Sequence, residues 1–391
     1  MLRFLTAGES HGKGLTIILE GVPAGLALSE DYLAVDLHRR QGGYGRGRRQ
    51  KIEHDRAEIL SGVRHGRTLG SPITLFIQNR DHANWTEVMS VDPVEGEVER
   101  VTRLRPGHAD LAGAVKYGFD DVRPVLERAS ARETAARVAT GGVCKRLLEE
   151  LGVTFHSHTV QIGAIDADPP AEIDWDAVEE SPVRCADPAG ADRMIAAIDD
   201  ARNAGDTLGG VVEGRVRNVP MGLGSHVHWD RKLDGRLAQA LMSIHSVKGV
   251  EIGGGFGLTR RTGSTVHDVI LPRERWGDRP WARATNNAGG LEGGVTDGQD
   301  IVVRVALKPI ATLPRSLPSA DLLTGEEIPA HYERSDVCVV PAAGVIVEAM
   351  CAIVLAGATL EKFGGDNIEE TLRNFRAFQA TIGPRELPEG T

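Results

Sequence analysis

Cysteine is scarce. Cys144, Cys185, Cys338 and Cys351 are the only four in 391 residues, no two form a C-x-x-C pair, and none has a histidine at metal-ligand spacing. The expectation is a reducing compartment and no zinc site. Aromatic residues are also few, at 4 %, so stacking platforms for single-stranded nucleic acid are largely missing. A net charge of −10 excludes a general surface for nucleic acid or acidic membrane. No G-x-x-x-x-G-K-[ST] loop is present, and Gly253-Gly254-Gly255-Phe256-Gly257 lacks the G-x-G-x-x-G spacing of a dinucleotide fold. The opening Met-Leu-Arg-Phe-Leu-Thr-Ala-Gly-Glu has one basic residue and too short an apolar run for a signal peptide, so nothing in it directs export and a cytoplasmic chain is expected.

With 41 % hydrophobic residues, the chain can bury a large core. The run Val337–Leu360 is long enough to cross a bilayer, but Glu348 would sit near the bilayer centre, Pro341 interrupts the start, and the flanks show no Lys/Arg asymmetry. A buried helix ending at Lys362-Phe363-Gly364 is the better reading, with a basic last turn and a glycine cap. The 47 glycines are interspersed among short β-like runs at Thr16–Leu19, Pro72–Ile77 and Ile301–Leu307, which implies many tight turns. Helical periodicity marks Ala129–Leu151 and Leu233–Ile244. No regular β-α-β alternation appears, so an α+β class follows rather than a doubly wound sheet. Asp166–Asp187 reads as a surface excursion. In the absence of repeats, linkers or a low-complexity tail, residues 1–391 are expected to form one catalytic unit.

Four short segments carry chemistry. Gly8-Glu9-Ser10-His11-Gly12 matches the G-x-S-x-G nucleophile elbow, but it lies at the start of the chain and runs into a strand rather than a helix, against a hydrolase. Its histidine sits between glycines that let a ligand approach. His38–Lys51 packs five arginines and a lysine into an acidic protein. An Arg/Gly RNA-binding segment and a solvated charged loop are the alternatives, and guanidinium forks around a phosphate or carboxylate are favoured. Arg105-Pro106-Gly107-His108-Ala109-Asp110 places a second histidine in a glycine turn, a side chain suited to moving protons near neutral pH. Leu126–Thr134 reads as a helix start, with Ser130 as N-cap, Glu133 as its capping-box partner, and Arg128 and Arg132 making an anion site of that terminus.

Taken in order with Tyr117–Asp121, Gly205–Gly210, Lys248–Gly253, Asn286–Gly290, Lys308–Thr312 and Arg334-Ser335-Asp336, these segments resemble chorismate synthase from Gly8 to about Leu360. The resemblance implies a sandwich with helices packed between antiparallel β-sheets, a cytoplasmic homotetramer, and a flavoprotein lyase of the shikimate pathway to aromatic amino acids. Its reaction is the anti-1,4-elimination of phosphate from 5-enolpyruvylshikimate 3-phosphate, requiring reduced FMN without net redox change. It implies His11 as the acid for the departing phosphate, His108 acting on the flavin ring and Asp336 assisting deprotonation near flavin N5. Substrate contacts implied are Ser10, Arg40, Arg46, Arg49, Arg132 and Arg334, with Arg40 and Arg46 also at a pyridine-nucleotide position. Flavin contacts implied are Arg128, Ala129, Ser130, His245, Ser246, Gly293, Lys308, Pro309, Ile310, Ala311, Thr312 and Arg334. NADPH or an external flavin reductase would supply electrons, with no metal, nucleic acid or membrane involved. His245, Gly254 and Ile310 depart from the pattern, in which Asn or Gln, Asp, and a small residue such as Thr are common. A flavin-dependent oxidoreductase acting on another anion is the alternative enzyme.

Overall fold

The computed structural model describes residues 1–47, 54–96, 98–277, 280–333 and 335–384. Two antiparallel sheets enclose a double layer of helices. The first sheet orders Arg3–Ala7, Gly14–Glu20, Ile73–Gln78 and Ala57–Ser61. The second orders Val247–Ile252, Ile301–Leu307, Gly210–Arg217, Thr154–Ile162 and Ile165–Asp166.

Period-two alternation fixes which face of each strand is buried. Ile17, Leu19, Ile73, Leu75 and Ile77 are fully buried, with Ile17 opposite Leu75 and Leu19 opposite Ile73. In the second sheet Val303 and Val305 are buried and face Gly214 and Val212 in register. Helix Thr134–Glu149 packs on the first sheet and helix Val340–Phe363 on the second, and the two helices pack against each other. Neighbouring strands within both sheets pair antiparallel among the described residues, and the expected α+β sandwich is what forms.

The long apolar run becomes a helix at Val340, with Pro341 in its first turn, where the missing N–H costs no bond. It ends at Gly364 with φ 60°, the positive dihedral that glycine tolerates. Close approach explains two glycines here. A Cβ on Gly141 would stand 2.4 Å from that of Ala349, and one on Gly344 would stand 2.5 Å from Ser157 Oγ. The two central helices therefore meet backbone to backbone at Gly141, and Gly344 leaves room for the Ser157 hydroxyl of the second sheet.

Glu348, midway along this helix, is buried. Its Oε1 accepts from Ser157 Oγ at 2.6 Å and Arg39 Nη2 at 3.0 Å, and its Oε2 accepts from Lys145 Nζ at 2.7 Å and Arg39 Nη1 at 2.9 Å. Arg184 Nη2 lies 3.4 Å away. Arg184 belongs to the stretch expected to be a surface excursion, and there the expectation fails in part. Most of the run is exposed as far as Pro182, but Val178, Val183, Arg184 and Cys185 are buried, the last three because a buried carboxylate draws the guanidinium inward.

The helix expected over Ala129–Leu151 starts later than its pattern suggests. A 3-10 turn at Ala131–Glu133 precedes the α-helix Thr134–Glu149. Ser130 caps the turn by accepting from the Arg132 N–H, but no reciprocal capping box forms. The Glu133 carboxylate instead accepts from Thr6 Oγ1 at 2.9 Å and Arg137 Nε at 2.8 Å, tying the turn to the first sheet. The helix expected over Leu233–Ile244 runs Leu233–Met242. All four cysteines are buried and free.

Candidate active site

A cavity of about 790 Å³ opens where the loops at one end of both sheets meet the start of helix Val340–Phe363. Its floor is apolar, from Leu126, Ile244, Leu307, Val339, Ala343 and Ile346. Its rim is cationic and bears both expected histidines.

The loop Gly8–Gly12 leaves the first strand and turns inward. The Asn79 side-chain amide donates to the carbonyls of Glu9 and Gly12, which pins the loop. His11 is 8 % exposed and stacks on Trp85, with centroids 4.0 Å apart. Glu127, from the short helix Arg123–Arg128, accepts from His11 twice: Oε2 takes the backbone N–H and Oε1 meets Nδ1, each at 2.8 Å. Ser130 Oγ donates to Ser10 Oγ at 3.1 Å, so the first loop and the 3-10 turn share a hydroxyl contact.

Arg40 sits in the last turn of helix Glu30–Gln41 and is 4 % exposed. It donates to Thr134 Oγ1, the Ala131 carbonyl and Asp55 Oδ2. Arg132 donates to the other oxygen of Asp55 at 2.5 Å and to Asn79 Oδ1 at 2.9 Å. Burial pushes Arg40 down to about 10, Arg132 and Arg46 act in the same direction, and Asp55 opposes them. Arg46 pairs with Asp336 at 3.1 Å, and its buried Nε has no hydrogen-bond partner among the described residues. Among the described residues of that segment, Arg40 and Arg46 point into the protein, unlike the side chains of a solvated loop. Arg49 and Arg334 lie outside the described residues.

On the opposite side, Arg105 and His108 converge on Asp110. Arg105 forks onto the carboxylate at 2.8 and 3.0 Å, and His108 Nδ1 approaches Oδ1 to 2.5 Å. Because the ionised carboxylate can only accept, the ring proton belongs on Nδ1, although Arg105 Nη2 also lies 3.1 Å from that atom. Burial pushes Asp110 up, but hydrogen bonds from His108 and Arg105 hold it well below the usual carboxylate range.

His245 and Ser246 join helix Leu233–Met242 to strand Val247–Ile252, with Ser246 at φ 68°. Lys308–Thr312 follows strand Ile301–Leu307. Lys308 N–H donates to the Ser246 carbonyl and its Nζ to Gly107, while Thr207 holds the Ile310 carbonyl. Burial, then Arg137, His108 and Arg128, pushes His245 down to about 4 against Glu133. The imidazole is thus neutral near pH 7, and its buried Nδ1 has no hydrogen-bond partner among the described residues.

The structure therefore gathers Ser10, His11, Arg40, Arg46, His108, Ala129, Ser130, Arg132, His245, Ser246, Lys308, Ile310, Ala311, Thr312 and Asp336 around one cavity. Three expected residues stand elsewhere. Arg128 is exposed and donates to Thr6 and Gly8, because the nearby strand end offers unpaired carbonyls, and it does not line the cavity. Pro309 faces a neighbouring cavity of about 310 Å³. Gly293 turns the hairpin between Leu291-Glu292 and Val295-Thr296, away from the cavity. Gly254 also lies away from the cavity, and a side chain there would meet Leu258 at 2.4 Å. Residues the motifs did not single out include Asp55, Trp85 and Glu127, and Arg105 and Asp110 gain buried roles that spacing alone left open.

The family model for chorismate synthase matches residues 2–360. The chain belongs to the chorismate synthase family. It is 56 % identical over 395 residues to the chorismate synthase of Symbiobacterium thermophilum, covering 98 % of this chain and 100 % of that one. It is 57 % identical over 388 residues to that of Moorella thermoacetica, with the same coverage. A crystal structure of chorismate synthase, 45 % identical, superimposes with a TM-score of 0.78 over 97 % of this chain and 98 % of that one. The chorismate synthase resemblance read from the motifs and the sandwich it implied are both upheld.

Proposed function

We propose that this chain converts 5-enolpyruvylshikimate 3-phosphate to chorismate and phosphate, with reduced FMN bound in the same cavity. Family membership carries the reaction. A cationic rim over an apolar floor is the observation that supports the ligands, since the substrate is rich in phosphate and carboxylate and a flavin ring is flat and largely apolar. The cofactor fit rests on two orphaned buried atoms, His245 Nδ1 and Arg46 Nε, which a polar ring edge or an anion would satisfy.

Ala129, Ser130, His245, Ser246 and Lys308–Thr312 would hold the flavin, with Arg128, Gly293 and Arg334 as further contacts implied by the family. Held by these residues, reduced flavin would supply transient electron density to the elimination. The rest falls to the chain. Ser10, Arg40, Arg46, Arg49, Arg132 and Arg334 neutralise and orient the substrate, and bidentate forks suit that task. His11 gives a proton to the phosphate as the C–O bond at C3 breaks. His108, its Nδ1–H held by Asp110, presents the other ring nitrogen to the flavin. Asp336, fixed by Arg46 and by the Gly47 N–H at 2.6 Å, assists loss of the C6 hydrogen. Each proton-transfer role is worth about 10²–10⁴-fold.

The same reading makes residues 1–391 a single catalytic unit, working as a cytoplasmic homotetramer whose flavin is reduced by an external reductase or by NADPH. An anaerobic assay with the phosphorylated substrate and chemically reduced FMN tests it. Chorismate and phosphate should form in equal amounts, and only with reduced flavin. Binding of FMN without turnover would point instead to a flavin oxidoreductase acting on a different anion.

A further inference from the structure

We propose that Glu127 is the positioning residue of His11: its buried carboxylate fixes a proton on Nδ1 and commits the exchangeable proton to Nε2. This rests on the reading of His11 as the acid for the departing phosphate.

Three donors converge on the Glu127 carboxylate. They are the His11 backbone N–H and ring Nδ1, at 2.8 Å each, and Arg123 Nη1 at 3.4 Å. Glu127 is 2 % exposed and is absent from the cavity wall, so it acts through the histidine rather than on a ligand. A carboxylate accepts at both oxygens, whereas an imidazole facing one must present N–H. Nδ1 is therefore protonated in both charge states of the ring, and any proton His11 passes to a ligand leaves from Nε2. On transfer, the imidazolium releases its Nε2 proton to a phosphate oxygen and returns to the neutral Nδ1–H form, with the carboxylate unchanged.

Packing reinforces the orientation. Trp85 stacks on the ring at 4.0 Å and 28°, and Arg123 lies 5.2 Å from the centroid of Trp85 while also reaching Glu127. Glu127 thus joins His11 and Arg123, both of which contact Trp85. Rotation of the imidazole would break the Nδ1 hydrogen bond and the stack together.

Glutamine separates orientation from simple bulk. Its amide has one acceptor and one donor end, so it cannot satisfy both His11 donors. The oxygen facing the backbone N–H would aim its NH₂ at Nδ1 and force the Nε2–H tautomer. The test uses full-length protein labelled with ¹⁵N-histidine, free of ligands, with the His11 signal assigned from His11→Gln. The neutral ring should be Nδ1–H in the wild type and in Glu127→Asp, and Nε2–H in Glu127→Gln. In the elimination assay Glu127→Gln should lower kcat at least tenfold with KM within about twofold, and Glu127→Asp should recover part of the loss. An Nε2–H wild-type ring, or one tautomer shared by wild type and Glu127→Gln, overturns the proposal, as do equal losses in the Asp and Gln variants with KM rising in parallel. Because the tautomer is read without substrate, a wild type that forms no chorismate would defeat the assigned reaction and leave this measurement decisive for Glu127. If Glu127→Gln does not fold, the wild-type and Glu127→Asp spectra still decide.

Discussion

Replacing Glu348 with glutamine should cost the folded protein about 3–5 kcal/mol, the range for removing one partner of a buried ion cluster. The side chain is 1 % exposed and collects donors from Arg39, Lys145, Arg184 and Ser157. Glutamine keeps the shape, loses the charge, and turns an NH₂ donor toward cations. Asp36 and Glu179 remain to hold Arg39, which places the expected loss near the lower end, about 3 kcal/mol. That is roughly a hundredfold in the folding constant. Equilibrium urea unfolding of both proteins at pH 7.5 and equal concentration measures it. The pH dependence gives a second reading. Burial alone would push Glu348 up, but Lys145, Arg39 and Arg184 hold it well below the usual carboxylate range. A depressed folded value means that the unfolded chain takes up the proton first as pH falls. The stabilisation is full above the unfolded value, near 4.5, and is lost below it. The gap between wild type and variant should therefore stay constant from about pH 6 to 8 and narrow below about 4.5. A loss under about 1 kcal/mol at pH 7.5, or a gap that widens in acid, would refute the argument.

Other expectations follow the same logic. Asp55→Asn offers one acceptor to two guanidiniums and should raise substrate KM at least tenfold, since a hydrogen bond to a charged group is worth about 1.5–3 kcal/mol; steady-state kinetics would show it. His11→Ala and His108→Ala should each lower turnover at least tenfold while leaving FMN affinity, read by fluorescence quenching, nearly intact. His245, pushed down to about 4 from 6.5, destabilises the fold as pH drops through that interval, because the unfolded ring protonates first. Between pH 7.5 and 5 the wild type should lose about 2 kcal/mol more than His245→Asn in parallel unfolding curves. Gly344→Ala, placing a Cβ 2.5 Å from Ser157 Oγ, should cost about 1–3 kcal/mol by thermal unfolding.

Much of the fold could be read along the chain because its signals are local. The alternation at Thr16–Leu19 and Ile301–Leu307 and the apolar run into Val340–Phe363 each mark an element without reference to any other. The concentration of arginine and glycine at His38–Lys51 is local too, and Arg40, Arg46 and Gly47 of that segment line the cavity. Asp55, Glu127 and Trp85 were illegible because a buried ion pair has no period. Glu127 pairs with His11 across 116 residues, and nothing near either one specifies the other. Ser130 and Glu133 misled in the opposite way: a pattern sufficient for a capping box was outcompeted by Thr6 and Arg137, which only the assembled sheet brings within reach. Family likeness named Gly293 and Arg128 as contacts, but neither lines the cavity.

The cavity wall draws on the second sheet, both central helices and loops widely separated along the chain. Gly47 and Asp336, which meet at its edge, are 289 residues apart. Contacts of such long range are closed late in folding, after much chain entropy has been lost. Partly folded states would lack the anion pocket altogether, so substrate-like anions should leave early folding phases untouched and slow only the final unfolding of the finished structure.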